Sequence, residues 1–309
     1  MKMKIKVTTN AFSGNNILRS ELLHYFPNSE FNESGKRLTG KKLVDYLSDA
    51  DGAIIGLENI TDELLLQLPN LKIIAKYGVG LDNIDQSACE KHNVTIGWTG
   101  GVNKLSVAEM TLGFMLDLSR NLQLTSNQLK NQVWNKTGGR QLTGQTIGVI
   151  GLGHIGKELV RILKPFNCSI LCYDIVEQNE YCNNENVLSV TLKELIIKSD
   201  IVTLHTPLTH LTKGMVNHSF LSSMKKGSYL INTARGPIVV LEDLKQALIN
   251  DVILGAAIDV YEIEPPQDKE LLSLPNLICT PHTGGNSFEA VVGMGKSAIN
   301  HLNLFFKKN

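Results

Sequence analysis

Residues 146–160 read TIGVIGLGHIGKELV, a glycine-rich turn between an apolar run and a helical pattern. Glycines at turns mostly serve the backbone. The spacing G-x-G-x-x-G therefore points to a ligand only in context: a strand before it, a helix after it and an acid about 20 residues further on. All three conditions hold. Thr146 to Ile150 is apolar and β-branched, as a buried parallel strand is. Ile155, Leu159, Ile162 and Leu163 recur at helical spacing up to Pro165, and the run CSILCY leads directly to Asp174, 18 positions after Gly156. In the βαβ unit this predicts, Gly151 permits the tight turn and Gly153 lets the backbone approach a pyrophosphate. Gly156 lets the helix pack closely on the strand, and the helix N-terminus, opening with His154 and Ile155, attracts the phosphate charge. A carboxylate at Asp174 accepts hydrogen bonds from ribose hydroxyls and repels a 2′-phosphate, so NAD is expected over NADP.

The rest of the 309 residues fits two α/β domains, since about 150 residues per domain is the soft prior. KIKVTT, GAIIG, KIIAK and VTIGW read as strands, separated by helical stretches such as NILRSELLHYF, TDELLLQL and DQSACEKH. From Lys104 the pattern becomes a long helix, with Val107, Met110, Leu112, Phe114, Met115 and Leu118 on one broad face, either core or a partner-facing surface. Six strands follow, TIGVI, CSILCY, DIVTLH, SYLIN, ILGAAIDV and NLICT, and then a last helix from roughly Ser287 to Phe306. Alternating strands and helices argue for parallel sheets. No Pro/Gly linker separates the two units, so the expectation is directly joined domains with a ligand-binding cleft between them.

Thirty basic and thirty acidic residues cancel, so no electrostatic footprint argues for nucleic acid. No apolar run approaches the 18 or so residues of a membrane span, and the start MKMKIKVTT lacks the apolar stretch of a signal peptide. Five cysteines without a C-x-x-C pair suit a reducing compartment and give no metal site. A soluble cytoplasmic protein is expected.

Three strand ends carry polar residues that suit one reaction. NTARGPIV offers Arg235, AAIDVYEIEPP offers Asp259, Glu262 and Glu264, and ICTPHTGGNS offers His282. Hydride transfer between a nicotinamide and a 2-hydroxy acid needs a cation for the carboxylate, a base for the hydroxyl proton and a partner that tunes the base. Arginine pairs bidentately with carboxylates. Histidine gives and takes a proton near neutrality, and a buried glutamate beside it would fix the tautomer.

The glycine-rich turn, N-T-A-R-G-P-I-V, D-V-Y-E-I-E-P-P and T-P-H-T-G-G, in this order, resemble the D-isomer-specific 2-hydroxyacid dehydrogenase family from roughly Gly52 to Ala290. The resemblance implies Arg235, Glu264 and His282 as the catalytic triad and Asp259 as the residue holding the nicotinamide carboxamide. It implies that Val79 and Gly80, in Y-G-V-G-L-D, grip the substrate carboxylate through their backbone amides and that Asn103 helps to place substrate. His205-Thr206-Pro207 and Thr233-Ala234 match segments lining the cofactor. A flavodoxin-like substrate domain (residues 1–101 and 286–309) and a Rossmann NAD-binding domain (residues 102–285) are implied, as is a homodimer joined through the helix after Lys104. His154 stands where arginine is frequent, and Tyr261 where phenylalanine is.

The segment VWNK and the loop I-A-K-Y-G-V-G resemble bacterial phosphoglycerate dehydrogenases lacking the C-terminal regulatory domain. Lys76 and Lys136 are then expected to meet a substrate phosphate, although Gly56-Leu57 lies where an arginine often helps with it. The substrate expected first is 3-phosphoglycerate, with a glyoxylate, hydroxypyruvate or other small 2-keto acid reductase as the alternative. An NAD-sensing corepressor-like interaction protein is the alternative of a different class.

Overall fold

The computed structural model describes residues 3–308. It divides into two compact units, one made of the chain up to Asn103 plus the segment from Ser287, the other of Lys104–Asn286.

The first unit is built on five parallel strands, β1 (Ile5–Val7), β2 (Glu30–Phe31), β3 (Gly52–Ile55), β4 (Ile73–Lys76) and β5 (Thr95–Gly97), in the order β2-β1-β3-β4-β5. This is the flavodoxin-like order. Every residue of β1, β3 and β4 is buried, which is why they read as near-continuous apolar runs. Sequence reading found four of these strands. The fifth, β2, is two half-buried residues, too short to show any periodicity, and it is tied to β1 by the ion pair of Glu30 with Lys6 (3.1 Å).

The helix Phe288–Lys308 belongs to this first unit and buries Ala290, Met294, Gly295, Ala298, Ile299 and Leu302. Its approach is close: a Cβ on Gly295 would lie 2.3 Å from Leu18 Cδ1, and one on Gly97 would lie 2.6 Å from His301 Cβ.

The second unit holds seven parallel strands, β6 (Thr146–Ile150), β7 (Ser169–Tyr173), β8 (Leu188–Ser189), β9 (Ile201–Leu204), β10 (Tyr229–Asn232), β11 (Gly255–Ile258) and β12 (Leu277–Cys279). Their order is β12-β11-β10-β9-β6-β7-β8, the Rossmann arrangement with one strand added at an edge. Six strands were expected. The seventh, β8, is again two residues, both exposed. The direction of the strand order reverses between β6 and β9, and it is outside the carboxyl ends of strands at such a switch point that doubly wound sheets bind ligands.

The helix Lys104–Arg120 buries Val107, Ala108, Thr111, Phe114, Met115 and Leu118, and Met110 and Leu112 pack against the same core. Its apolar stripe is therefore core. No helix among the described residues is long and apolar enough to cross a membrane.

Candidate active site

The glycine-rich turn lies between β6 and the helix His154–Leu163, and its three glycines meet three different surroundings. Gly151 has φ +95°, and a Cβ there would sit 2.6 Å from the His205 carbonyl oxygen and 2.9 Å from Thr206 Cγ2. A Cβ on Gly156 would lie 2.2 Å from Gly151 O, so only glycine lets the helix come this close. On Gly153 it would meet nothing within 4 Å. The open face of the turn is thus at the position where a pyrophosphate needs room.

Asp174 follows β7 directly. Its Oδ2 accepts from Leu152 N (2.6 Å) and its Oδ1 from Val176 N (2.9 Å), which anchors the turn to the carboxylate and leaves lone pairs for ribose hydroxyls. His205 and Thr206, past the end of β9, line the same turn. His205 Nε2 pairs with Thr203 Oγ1 (3.0 Å). His205 Nδ1 and Thr206 Oγ1 are buried without a partner among the described residues. The His205 residue keeps a partly exposed edge, but its ring is enclosed, and that burial pushes the imidazole down to about 3. Pro207 is exposed, and its carbonyl accepts from Thr212 Oγ1 (2.7 Å). His154 is exposed at the first helical position, and Ile155 is half-buried behind it.

The titratable cluster forms at the far ends of β10, β11 and β12. His282 Nδ1 lies 2.9 and 3.0 Å from the two oxygens of Glu264, and Glu264 also accepts from Tyr261 N (3.2 Å). Glu262 is exposed, and among the described residues no hydrogen bond links it to His282. The expectation of a buried glutamate is corrected: 47% of the His282 side chain and 41% of the Glu264 side chain are exposed. The reason is that Glu264 stands in an irregular segment beyond β11, and such segments run over the surface. An exposed contact of this kind adds little stability, so its effect is orientation: a carboxylate on Nδ1 fixes the ring and leaves Nε2 as the other ring nitrogen available to a ligand.

The turn carrying His282 is held from below. Asp259, 1% exposed, accepts from Thr280 Oγ1 (2.6 Å), Thr283 N (2.8 Å) and Gly284 N (2.8 Å). Three of about four lone-pair sites on that carboxylate are thereby used. His282 itself is left-handed at φ +54°. Tyr261, where phenylalanine is commoner, is buried, and its hydroxyl donates to Thr280 O (3.1 Å). A phenylalanine in this place would have no such bond. The polar tip of the tyrosine was the available signal, because a buried phenol needs a partner.

Arg235 follows β10 and donates through Nη1 to Ala234 O (2.7 Å). The next residue, Gly236, packs so tightly on the Tyr261–Glu262 backbone that a Cβ would fall 2.0 Å from Tyr261 C, bringing the arginine turn against the glutamate segment. Asn232 ties the turn by accepting from Ala234 N (3.0 Å) and donating to Arg235 O (3.0 Å). Buried Thr233 pairs with Thr111 (3.3 Å).

In the first unit, Val79 and Gly80 occupy an arch between β4 and residue 83. Among the described residues no chain acceptor takes their N–H groups, while Val79 O accepts from Trp98 Nε1 (3.0 Å). Asn103 is buried, and its Oδ1 has no partner among the described residues. Lys76 is 5% exposed, and its ammonium donates to Gly56 O and Asn83 Oδ1. Lys136, in the second unit, is fully at the surface in an irregular segment.

A model of the NAD-binding domain of D-isomer specific 2-hydroxyacid dehydrogenases matches residues 112–284. The chain belongs to this family. A D-3-phosphoglycerate dehydrogenase of Bacillus subtilis (strain 168) is 36% identical over 266 residues, which are 85% of this chain and 51% of that protein. A hydroxypyruvate reductase of Thermotoga maritima is 33% identical over 279 residues, 88% of this chain and 90% of that protein. The crystal structure of an NAD-dependent formate dehydrogenase from Staphylococcus aureus in complex with NAD is 31% identical and superimposes with a TM-score of 0.83, covering 99% of this chain and 96% of that one. This family member spans about half the length of the phosphoglycerate dehydrogenases it matches. Its Gly151–Gly153–Gly156 cradle and the carboxylate of Asp174 fit the family's NAD, by the geometry given above.

Proposed function

We propose that this chain is an NAD-dependent D-2-hydroxyacid dehydrogenase working on short, unphosphorylated 2-keto acids such as hydroxypyruvate or glyoxylate. The observation that carries the class is His282 Nδ1 held 2.9 Å from Glu264, a base with its partner. When bound, NAD would serve as the hydride acceptor for substrate C2. In the oxidative direction His282 Nε2 takes the hydroxyl proton. In reduction the imidazolium returns that proton to the forming alkoxide. Glu264 stabilises the imidazolium, and Asp259 and Tyr261 hold its turn. Arg235 supplies the planar cation for a carboxylate, Val79 and Gly80 supply amides, and Asn103 helps to place the substrate. Gly151, Gly153, His154, Ile155 and Gly156 of the glycine turn, with Asp174, His205, Thr206, Pro207, Thr233, Ala234 and Asp259, hold the cofactor.

The inward Lys76 supports the unphosphorylated substrate. The 36% identity to a D-3-phosphoglycerate dehydrogenase and the exposed Lys136 support a second reading, oxidation of 3-phosphoglycerate. Both readings include a homodimer, supported by exposed Leu122, Leu129, Val133 and Trp134. A cytoplasmic location is supported by five free cysteines.

The test is steady-state reduction by NADH of glyoxylate, hydroxypyruvate and phosphohydroxypyruvate. The highest kcat/KM is expected for an unphosphorylated acid, and His282→Ala should lower kcat by about 10²–10⁴-fold with NADH binding nearly unchanged. A preference for phosphohydroxypyruvate would move the assignment to 3-phosphoglycerate. NADH binding without turnover of any acid would favour an NAD-sensing interaction protein.

A further inference from the structure

The arch from Tyr77 to Asp82 offers two backbone amides, and backbone amides recognise an anion only if their spacing is held. The parts around the arch show how that is done. Lys76, the last residue of β4, sends its ammonium to Gly56 O on the neighbouring strand's exit and to Asn83 Oδ1 at the far foot of the arch. Asn83 Nδ2 returns to Gly56 O (3.2 Å) and Glu58 O. The Asn83 carbonyl accepts from Ile60 N (2.8 Å). Glu58, itself buried, accepts from Gly56 N (2.7 Å). Between these feet Gly78 takes φ +136° and lies over the lysine stem, where a Cβ would be 3.3 Å from Lys76 Cε.

We infer that Lys76 and Asn83 form a staple that closes the base of this arch and positions the Val79 and Gly80 amides for the carboxylate of the 2-keto acid. Lys76 is a positioning residue acting through Asn83 and Gly56, not a reader of substrate phosphate. The inference rests on the dehydrogenase reading above for the identity of the anion, but the staple itself is a property of the first unit. A lysine suits the place because one ammonium reaches several acceptors at once. A charge-assisted bond is about twice as strong as a neutral one, and burial among carbonyls makes it stronger still.

Two measurements test it. In the first, Lys76→Met keeps the stem and removes the donors. The KM for glyoxylate, hydroxypyruvate and phosphohydroxypyruvate should rise by one common factor, roughly tenfold as for a lost charge-assisted bond. The KM for NADH should stay unchanged and kcat nearly so, because uniform substrate binding is what is lost. Asn83→Leu should reproduce this split, and the double variant should be little worse than either single one, as expected for two members of one unit. A KM increase confined to the phosphorylated acid would overturn the inference and make Lys76 a phosphate contact. Independent increases that multiply would also overturn it.

The second measurement needs no turnover. The chain has two tryptophans, and Trp98 bonds Val79 O. In a Trp134→Phe background Trp98 is a reporter of the arch, and Lys76→Met should make its emission more accessible to acrylamide. Unchanged quenching would overturn the staple even in an inactive protein. Altered quenching on Lys76→Met, together with a wild-type protein that turns over no 2-keto acid, would uphold the staple and overturn the dehydrogenase reading.

Discussion

At the scale of single residues, His205 shows how burial decides what a titratable group does. Its ordinary value is near 6.5, and enclosure holds it down at about 3, so it is neutral in the folded chain near neutral pH. The consequence for stability has a sign. Above pH 6.5 the ring is neutral in folded and unfolded chains and contributes no pH dependence. Between about 6.5 and 3 the unfolded chain binds a proton that the folded one refuses, so stability falls as pH falls. The loss is on the order of 3 kcal/mol, allowing for the ring's partly exposed edge. His205→Gln should flatten this limb. Urea midpoints at pH 7, 5 and 4 should converge for the variant relative to wild type, and parallel slopes would mean that the ring is solvated. That His205 lies beside the glycine turn was implied by its motif, but that Nδ1 would be enclosed was not. The same holds for Glu264, whose pairing was expected from residue types alone, whereas its exposure depends on where the chain runs beyond β11.

At the scale of elements, the glycine-rich turn separates two roles that a motif merges. Gly156 is glycine because a neighbouring backbone oxygen occupies the place of a Cβ, 2.2 Å away. Gly153 is surrounded by open space. Gly156→Ala should therefore destabilise the second unit by about 1–3 kcal/mol through overpacking, lowering the melting temperature. Gly153→Ala should melt near the wild type yet bind NADH at least roughly tenfold more weakly, because the methyl group fills the phosphate approach. Melting curves and NADH fluorescence titrations on both variants check this. Intact NADH affinity in Gly153→Ala would remove the pyrophosphate from this turn. The strand–turn–helix order was readable because buried parallel strands and amphipathic helices have different periods. Strands β2 and β8 were not readable, since two residues carry no period at all.

At the scale of the whole molecule, the last helix packs on the first unit although nearly 200 residues of the other unit lie between them in sequence. Leu302, fully buried against that sheet's core, makes this measurable. Leu302→Ala should cost the first unit about 2–5 kcal/mol, seen as an earlier denaturation midpoint of Trp98 fluorescence in a Trp134→Phe background. An unmoved midpoint would detach the helix from that core. The sequence by itself determined the family, the parallel α/β class, the cofactor turn and the pairing of His282 with Glu264. These depend on local order and residue chemistry, which a linear text contains. Only the tertiary structure decided that Lys76 is buried on Gly56 O and Asn83 Oδ1, that the Glu264–His282 pair lies half-exposed, and that Asp259 spends its oxygens on the histidine turn. Each of those outcomes depends on a partner far away along the chain, and hydrogen-bond acceptors brought close by folding have no signature in sequence spacing.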